Sequence, residues 1–455
     1  MRIRNYQTNL NSNEIFCQFK NEKNVMFLDS ARDHQTLGRF SIIVSNPRLI
    51  IKSKGRDVYV NDELIRENPF DVLRTLLKKY EKDYESSLPF IGGWVGYLSY
   101  DLKAFIEKLE VTVSDDIDMP DMFFGLYDGG VIVDHQKNEV YITDACIDED
   151  FDNRMNRIIE IIESEKQVVT LKEHQNTSDI KSNFERDDYE NAISKVRDYI
   201  RSGDIYQANM TQRFVAPLRD HPFELYQKLR TLNPAPFASY IDFSSGYILS
   251  SSPERFIKVT DRIIETRPIK GTMPRSTDPE IDQKNREILE NSKKDQSELL
   301  MIVDLERNDL SRIAKTGTVE VTELFKLESY ATVHHLVATI QATVDDKYDL
   351  VDCLKATFPG GSITGAPKKR AMEIIDELEP TARGLYTGSI GYIDLNQNMD
   401  LNIVIRTFIC KNKKAYFQAG GGIVWDSDPS SEYQESLDKA FALKKALNYG
   451  VKDGI

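Results

Sequence analysis

The sequence predicts an α+β fold built around large antiparallel sheets. Two observations carry this prediction. Short runs of alternating and β-branched residues, punctuated by Asn, Asp and Gly, recur along the chain. Amphipathic helices lie among them, but the two do not alternate as strand–helix–strand repeats, so a doubly wound parallel sheet is disfavoured. No internal repeat of fixed period is present.

The elements follow in order. Residues 1–163 read as short strands with turns: VMFLDS, FSIIVSN, RLIIKSK, RDVYVND, GGVIVDHQ and NEVYITDA. Residues 164–188 are polar with few apolar positions and read as a linker. The region 189–455 has a mixed texture. RDDYENAISKVRDYIRSGD places Tyr189, Ile193, Val196 and Ile200 at helical spacing. YQANMTQRFVAPL, SGYILSSSPERFIKV and DRIIETRPIKGTM read as strands, and a long helix is expected near 279–314. GLYTGSIGYIDL, MDLNIVIRTFICKN and KAYFQAGGGIVWD suggest an antiparallel meander. A final helix over about 429–447 begins with Asp428 and Pro429 as N-cap and first-turn residues.

Composition narrows the function. The 455 residues, 40% hydrophobic and 29% charged, suffice for one large or two ordinary domains. A net charge of −14 argues against nucleic acid as a partner. Cys17, Cys146, Cys353 and Cys410 are scattered without a CxxC pair, which fits a reducing, cytoplasmic location. The N-terminus lacks the apolar core of a signal peptide, and no apolar run approaches the length of a membrane span.

Several motifs carry possible chemistry. Lys270 lies in ETRPIKGTMPRST, a run held by Pro268, Gly271 and Pro274. It is either a solvated lysine in a turn or an anion contact or nucleophile in a dehydrated site. In DPSSEYQESLDKAFALKKAL, Glu432 and Glu435 share a helix face with Lys439, as a solvated ion-pair face or as oxygen ligands. Glu298 stands beside the apolar run LLMIV on another helix, so three glutamates become available to magnesium if the helices meet. Gly420–Gly422 either let backbone N–H groups approach an anion or form a simple loop. FPGGSITGAPKKRAMEII offers a helix N-terminus near Lys368 as another anion site, without P-loop spacing. Arg406, inside the apolar stretch NIVIRTFI, calls for a carboxylate partner, structural or from substrate.

Together these stretches resemble the chorismate-utilising enzymes, the family of the anthranilate synthase and aminodeoxychorismate synthase large subunits and of the isochorismate and salicylate synthases. The resemblance spans most of 186–450 through SGDIYQANMTQRF, SSSPERF, RPIKGTMPR, SELLMIVDLERNDL, VHHLVATI, FPGGSITGAPKKRAMEIIDELEP, GLYTGSIGYI, NIVIRT, QAGGGIVWDSDP and ESLDKA. It extends more weakly through FLDSARDHQTLGRFSIIVSNP and PFIGGWVGYLSYDL. It implies two packed antiparallel sheets with helices outside. By the same resemblance, Glu298, Glu435 and Glu432 match magnesium ligands, the last often through water. Tyr386, Arg406, Lys439 and the backbone at Gly421 and Gly422 match positions that hold the substrate's carboxylates. His335 matches the active-site histidine, and Glu254 the general acid for the departing 4-hydroxyl.

Within the family, Lys270 in PIKGT is the aminodeoxychorismate pattern, where anthranilate synthases usually have PIAGT. A neutral lysine adding at C2 of chorismate directs ammonia to C4. Gln207 replaces the lysine that serves isochorismate and salicylate synthases as a base for water. The resemblance therefore implies para amination of chorismate, with anthranilate synthase as the alternative and a non-catalytic sensor disfavoured by the intact acids. No cysteine lies in a glutaminase-like GxCxG turn, so ammonia is expected from a separate glutaminase subunit, and pyruvate release from another enzyme. The family's N-terminal sheet can hold tryptophan. LDS at 28–30, where feedback-inhibited relatives have LES, leaves that partner open.

Overall fold

The computed structural model describes residues 1–31, 37–109, 113–165, 171, 179–329 and 333–447. Two sheets of twelve strands each form its frame. The first runs Arg2–Tyr6, Glu139–Asp144, Gly129–Asp134, Phe40–Val44, Met26–Asp29, Phe237–Asp242, Tyr247–Ser252, Thr407–Lys411, Lys414–Ile423, Gln207–Pro217 and Lys181–Ser182, with Gly365–Ala366 also paired to Gln207–Pro217. The second runs Ile269–Pro274, Val333–Thr343, Ile263–Thr266, Arg255–Thr260, Met399–Asn402, Ser389–Asp394, Gly93–Leu98, Met122–Tyr127, Leu49–Lys54, Asp57–Val60 and Glu63–Arg66, with Glu320–Ser329 beside Val333–Thr343.

The sheets face each other across an apolar layer. Met26, Ile42, Ile132, Ile241 and Ile248 from the first meet Val95, Tyr97, Phe123 and Ile390 from the second. Each outer face is covered by helices, as expected of amphipathic elements around a sheet. Ser12–Phe19, Phe151–Ile162, Pro222–Leu232 and Pro429–Leu447 cover the first sheet. Pro69–Tyr80, Lys293–Ser311 and Leu350–Thr357 cover the second. The predicted fold class is therefore the observed one.

The compositional boundary over 164–188 is not a boundary in either sheet. Met26–Asp29 pairs with Phe237–Asp242, and Gly93–Leu98 pairs with Ser389–Asp394. Residues 166–170 and 172–178 of that run lie outside the described residues. No helix among the described residues is long and apolar enough to cross a membrane.

Five local expectations need correction. Among the described residues, 1–163 also contains three α-helices and a short 3-10 helix, Tyr100–Phe105. The first, Ser12–Phe19, has a capping box between Asn11 and Glu14, a signal present in NSNE. The single long helix near 279–314 is two, Pro279–Glu290 and Lys293–Ser311, because Asn291 ends one and the Ser292 side chain caps the other. The expected meander is two hairpins in different sheets: 389–394 with 399–402, and 407–411 with 414–423. Arg406 accordingly is not inside a strand; its φ of 52° marks the chain's passage from one sheet to the other. SGYILSSSPERFIKV likewise passes between sheets at Pro253–Glu254.

Candidate active site

The two crossings lie side by side. The Ile403 N–H donates to the Glu254 carbonyl (3.0 Å), and the Ser251 N–H donates to the Arg406 carbonyl (3.2 Å). A carboxyl and a guanidinium are thus fixed where the sheets exchange chains. Glu254 is 7% exposed. Burial raises its pKa, opposed by a hydrogen bond from Ser362 Oγ to Oε1 (2.7 Å) and by the nearby charges of Lys270 and Arg406. Such a carboxyl keeps its proton closer to neutral pH than a free one. Arg406 contacts Asn233 Oδ1 at 3.4 Å, and among the described residues no carboxylate forms an ion pair with it. Burial lowers its pKa and Glu254 opposes that, but a guanidinium stays charged. The carboxylate expected of a half-buried arginine is left for a ligand.

Lys270 owes its placement to a β-bulge. The ladder between Ile269–Pro274 and Val333–Thr343 slips between Lys270 and Thr272, making Gly271 the extra residue, with a φ of 69°. A Cβ on Gly271 would stand 2.7 Å from Leu289 Cδ1 and 2.9 Å from Asp295 Cγ. Gly271→Ala is expected to lose about 1–2 kcal/mol of stability from the left-handed backbone alone, before any clash. Urea unfolding measures it, and a variant as stable as the native protein would show that the bulge had relaxed at no cost. Burial lowers the pKa of the Lys270 ammonium. Glu298, Glu254 and Glu435 oppose the shift and Lys439 adds to it. Among the described residues no hydrogen bond or ion pair ties Lys270 down.

The three glycines form no loop. They end the strand Lys414–Ile423, paired with Gln207–Pro217. Gly421 and Gly422, lacking side chains, make the floor of a space, whereas a Cβ on Gly420 would meet the Met210 carbonyl of the paired strand. A Cβ on Gly421 would lie 3.0 Å from Glu435 Oε1, 3.2 Å from Glu432 Oε2 and 3.5 Å from Lys439 Nζ. A Cβ on Gly422 would run into the Gln207 amide and lie 3.6 Å from Lys270 Nζ. Gln207 is fully buried, and among the described residues neither its amide nitrogen nor its oxygen has a hydrogen-bond partner. Unpaired buried groups cost roughly 1–3 kcal/mol each, so a site that leaves two on one side chain is built to receive polar atoms.

Glu432 and Glu435 project from the helix Pro429–Leu447, and Glu298 from Lys293–Ser311. The structure brings Glu298 close enough to Glu435 for their charges to interact. Burial raises the pKa of Glu298, opposed by Lys270 and Lys294 and aided by Asp295 and Glu435. Burial also raises the pKa of Glu432, and Glu435 adds to it. For Glu435 burial acts upward, but the pair with Lys439 (2.6 Å) brings the net shift down. Among the described residues no three acidic or metal-ligating side chains enclose an ion as they stand. Glu435 holds Lys439, Glu432 accepts from Ser427 Oγ (2.6 Å), and Glu298 faces Lys294 at 3.9 Å. The donor types, Glu432 and Glu435 over Gly421 with Glu298 within electrostatic reach of Glu435, are those that suit a hard divalent cation.

His335 pairs with Thr272 across the bulge, and its Nδ1 lies 3.2 Å from the Gly271 carbonyl and 3.0 Å from Thr272 Oγ1. Burial pushes its pKa down to about 4, so the imidazole is neutral near pH 7. A neutral ring that donates from Nδ1 to the carbonyl leaves Nε2 as an acceptor. Tyr386 is buried; burial raises its phenol pKa and Arg383 opposes.

A family model described as chorismate binding enzyme matches residues 23–445. The chain belongs to the chorismate-binding enzymes. Aminodeoxychorismate synthase component 1 of Escherichia coli K12 is similar, 42% identical over 428 residues and covered to 93% in both chains. Anthranilate synthase component 1 of Acetivibrio thermocellus is 36% identical over 458 residues, covering 95% of this chain and 92% of that one. The solved structure of anthranilate synthase component I from Streptococcus pneumoniae superposes with a TM-score of 0.82 at 35% identity, covering 89% of this chain and 92% of that one.

The site of this chorismate-binding enzyme thus combines a buried acid, a half-buried guanidinium, a depressed lysine, two orphaned amide atoms and three carboxylates. Some of its parts have no counterpart in the sequence reading. Ser362, the donor to Glu254, sits in FPGGSITGAPKKR, where only the glycines and the helix start stood out. Those glycines serve packing: a Cβ on Gly360 would meet Ile403, and one on Gly361 would meet Leu305. Lys368, at the helix start, is paired with Asp309 (2.5 Å). The buried pair Arg383–Glu379 anchors the Gln207 strand through the Asn209 carbonyl and Thr211. In the LDS segment, Asp29 is held by Arg230 (2.5 Å) and Tyr226 (3.0 Å), while Leu28, Ser30 and Phe40 line a cavity of about 800 Å³ with Pro236 and Tyr392.

Proposed function

We propose that this chorismate-binding enzyme aminates chorismate at C4, giving 4-amino-4-deoxychorismate, the precursor of 4-aminobenzoate for folate. In this reading it is the synthase component of an aminodeoxychorismate synthase. The observation that carries the reading is Lys270: half-buried, drawn toward its neutral amine, tied among the described residues by no side-chain hydrogen bond or ion pair, and within the field of the acid Glu254. The name of the Escherichia coli relative supports the same reaction, whereas the anthranilate synthase relatives support ortho amination. Lys270 favours the first.

The residues divide the work as follows. Arg406 holds a substrate carboxylate, together with Tyr386, Lys439 and the backbone at Gly421–Gly422. The neutral Lys270 Nζ forms a bond to C2, the ring double bonds shift, and the C4–oxygen bond breaks. Glu254 gives its proton to the departing hydroxyl, which leaves as water. Ammonia then forms a bond to C4, the double bonds shift back, and the C2–Nζ bond breaks with its electron pair returning to Lys270. The surplus proton on the new amine returns to Glu254. Gln207, with both amide atoms free, positions polar atoms beside the nucleophile, and as an amide it cannot act as a base toward water. His335 lines this pocket as a neutral ring. Glu298, Glu432 and Glu435 would hold magnesium, which when bound withdraws electrons from the diene through the ring carboxylate.

Nitrogen is expected from a partner glutaminase subunit. The purified chain should turn over chorismate with ammonium salt and magnesium, and should give nothing with glutamine alone. Activity should rise with pH, because free ammonia and the neutral lysine both increase. Chromatography of the product against 4-amino-4-deoxychorismate and anthranilate decides the reading; anthranilate as the main product would reject it, and turnover with glutamine alone would reject the separate subunit.

A further inference from the structure

A second buried acid, Glu306, lies behind Glu254 and has no part in the reaction above. It projects from the helix Lys293–Ser311 on the buried face formed by Leu299, Ile302, Val303, Asp309 and Leu310. It is 8% exposed, and among the described residues no cation forms an ion pair with it. Two contacts bring it into the neighbourhood of Glu254. Ser362 donates to Glu254, while the neighbouring Gly361 packs on Glu306, where a Cβ would lie 3.5 Å from Cγ. On the other side, Thr266 Oγ1 lies 2.8 Å from Glu306 Oε2 and 2.9 Å from the carbonyl of Phe256, two residues beyond Glu254. A hydroxyl has one hydrogen. Both neighbours can accept it when Glu306 is ionised, and a protonated Glu306 is the form that lets the hydroxyl pair with both at once.

We propose that Glu306 and Glu254 share one proton across the Gly361–Ser362 turn, with Glu306 as the positioning residue that keeps a proton available to Glu254. Two carboxyls in one dry region cannot both ionise readily, so the pair retains a proton to higher pH than either acid would alone. The surrounding charges agree. Glu306 faces Glu254, Asp309 and, beyond Asp309, Lys368; Glu254 faces Lys270 and Arg406. Burial first, then Glu254 and Asp309, push the Glu306 pKa up to about 8 against Thr266 and Lys368. Asp309 is already neutralised by Lys368 (2.5 Å), so the like charge that matters to Glu306 is Glu254.

The inference rests on Glu254 acting as the acid in amination, and two measurements separate it from that reading. Initial rates with ammonium are compared between native enzyme and Glu306→Gln from pH 6 to 8.5. Free ammonia and Lys270 titrate alike in both, so they cancel in the ratio. The variant-to-native ratio should fall about tenfold over that range, the effect of losing roughly one pK unit of coupling. Infrared titration of the native enzyme, which needs no turnover, should show a protonated-carboxyl band persisting to about pH 8 and missing there in Glu306→Gln. A native enzyme without that band, or a band that survives in the variant, overturns the shared proton. A band present with a flat rate ratio overturns the positioning role. Failure of the amination reading would appear instead as a different product from the native enzyme, with the infrared result unchanged.

Discussion

Lys270→Ala should lose para amination by about 10³-fold or more, on the scale of removing a nucleophile from a set that acts as a unit. It should also gain some anthranilate, since the space vacated beside Gly422 lets ammonia reach C2. The pH dependence has a definite sign. A lysine whose pKa is depressed by burial reaches its reactive neutral form at lower pH than a free one, so the native rate rises with pH from a lower starting point. In the alanine variant only the ammonia titration should remain. If Lys270 instead only paired with a substrate carboxylate, its loss would raise KM and leave the product unchanged.

Glu298→Gln and Glu435→Gln should each lower turnover by at least about 100-fold, the upper end of what even outer-shell partners of a metal contribute. Each change removes a charge without changing shape. Chelation of the native enzyme by EDTA should abolish turnover, and magnesium should restore it. Glu435 is the more informative position, because its carboxylate is paired with Lys439 and must exchange that partner for a cation. Glu435→Gln should therefore weaken the magnesium dependence of the rate as well as the rate itself. Full activity in metal-free buffer would remove magnesium from the proposal.

Much of the frame was legible because it depends on local pattern. The helix after Asp428–Pro429 spans Pro429–Leu447 as its caps suggest, and Glu435 and Lys439 pair on one face at i, i+4. The six N-terminal strand stretches are strands, because alternation and turn residues fix them within a few positions. The crossings at Glu254 and Arg406 were not legible. SGYILSSSPERFIKV and NIVIRTFICKN each carry strand-forming residues on both sides of the crossing, so each reads as one strand. The partners that pull the halves into different sheets lie far away in sequence. Glu306 was hidden for a related reason. ERND looks like a solvated face, yet its register with Leu299, Ile302 and Val303 puts the acid inside. The bulge at Gly271 was half visible: Pro and Gly around Lys270 announced a held backbone, but only the pairing with Val333–Thr343 shows what holds it.

The nucleophile is tested most directly by mass. Native enzyme mixed with chorismate and magnesium without ammonia, quenched in acid and digested, should yield the Lys270 peptide carrying chorismate less one water. The same treatment of Lys270→Ala should yield no adduct anywhere in the chain. Native enzyme that makes 4-amino-4-deoxychorismate when ammonia is added, yet leaves Lys270 unmodified at every quench time without it, would contradict covalent catalysis by this lysine.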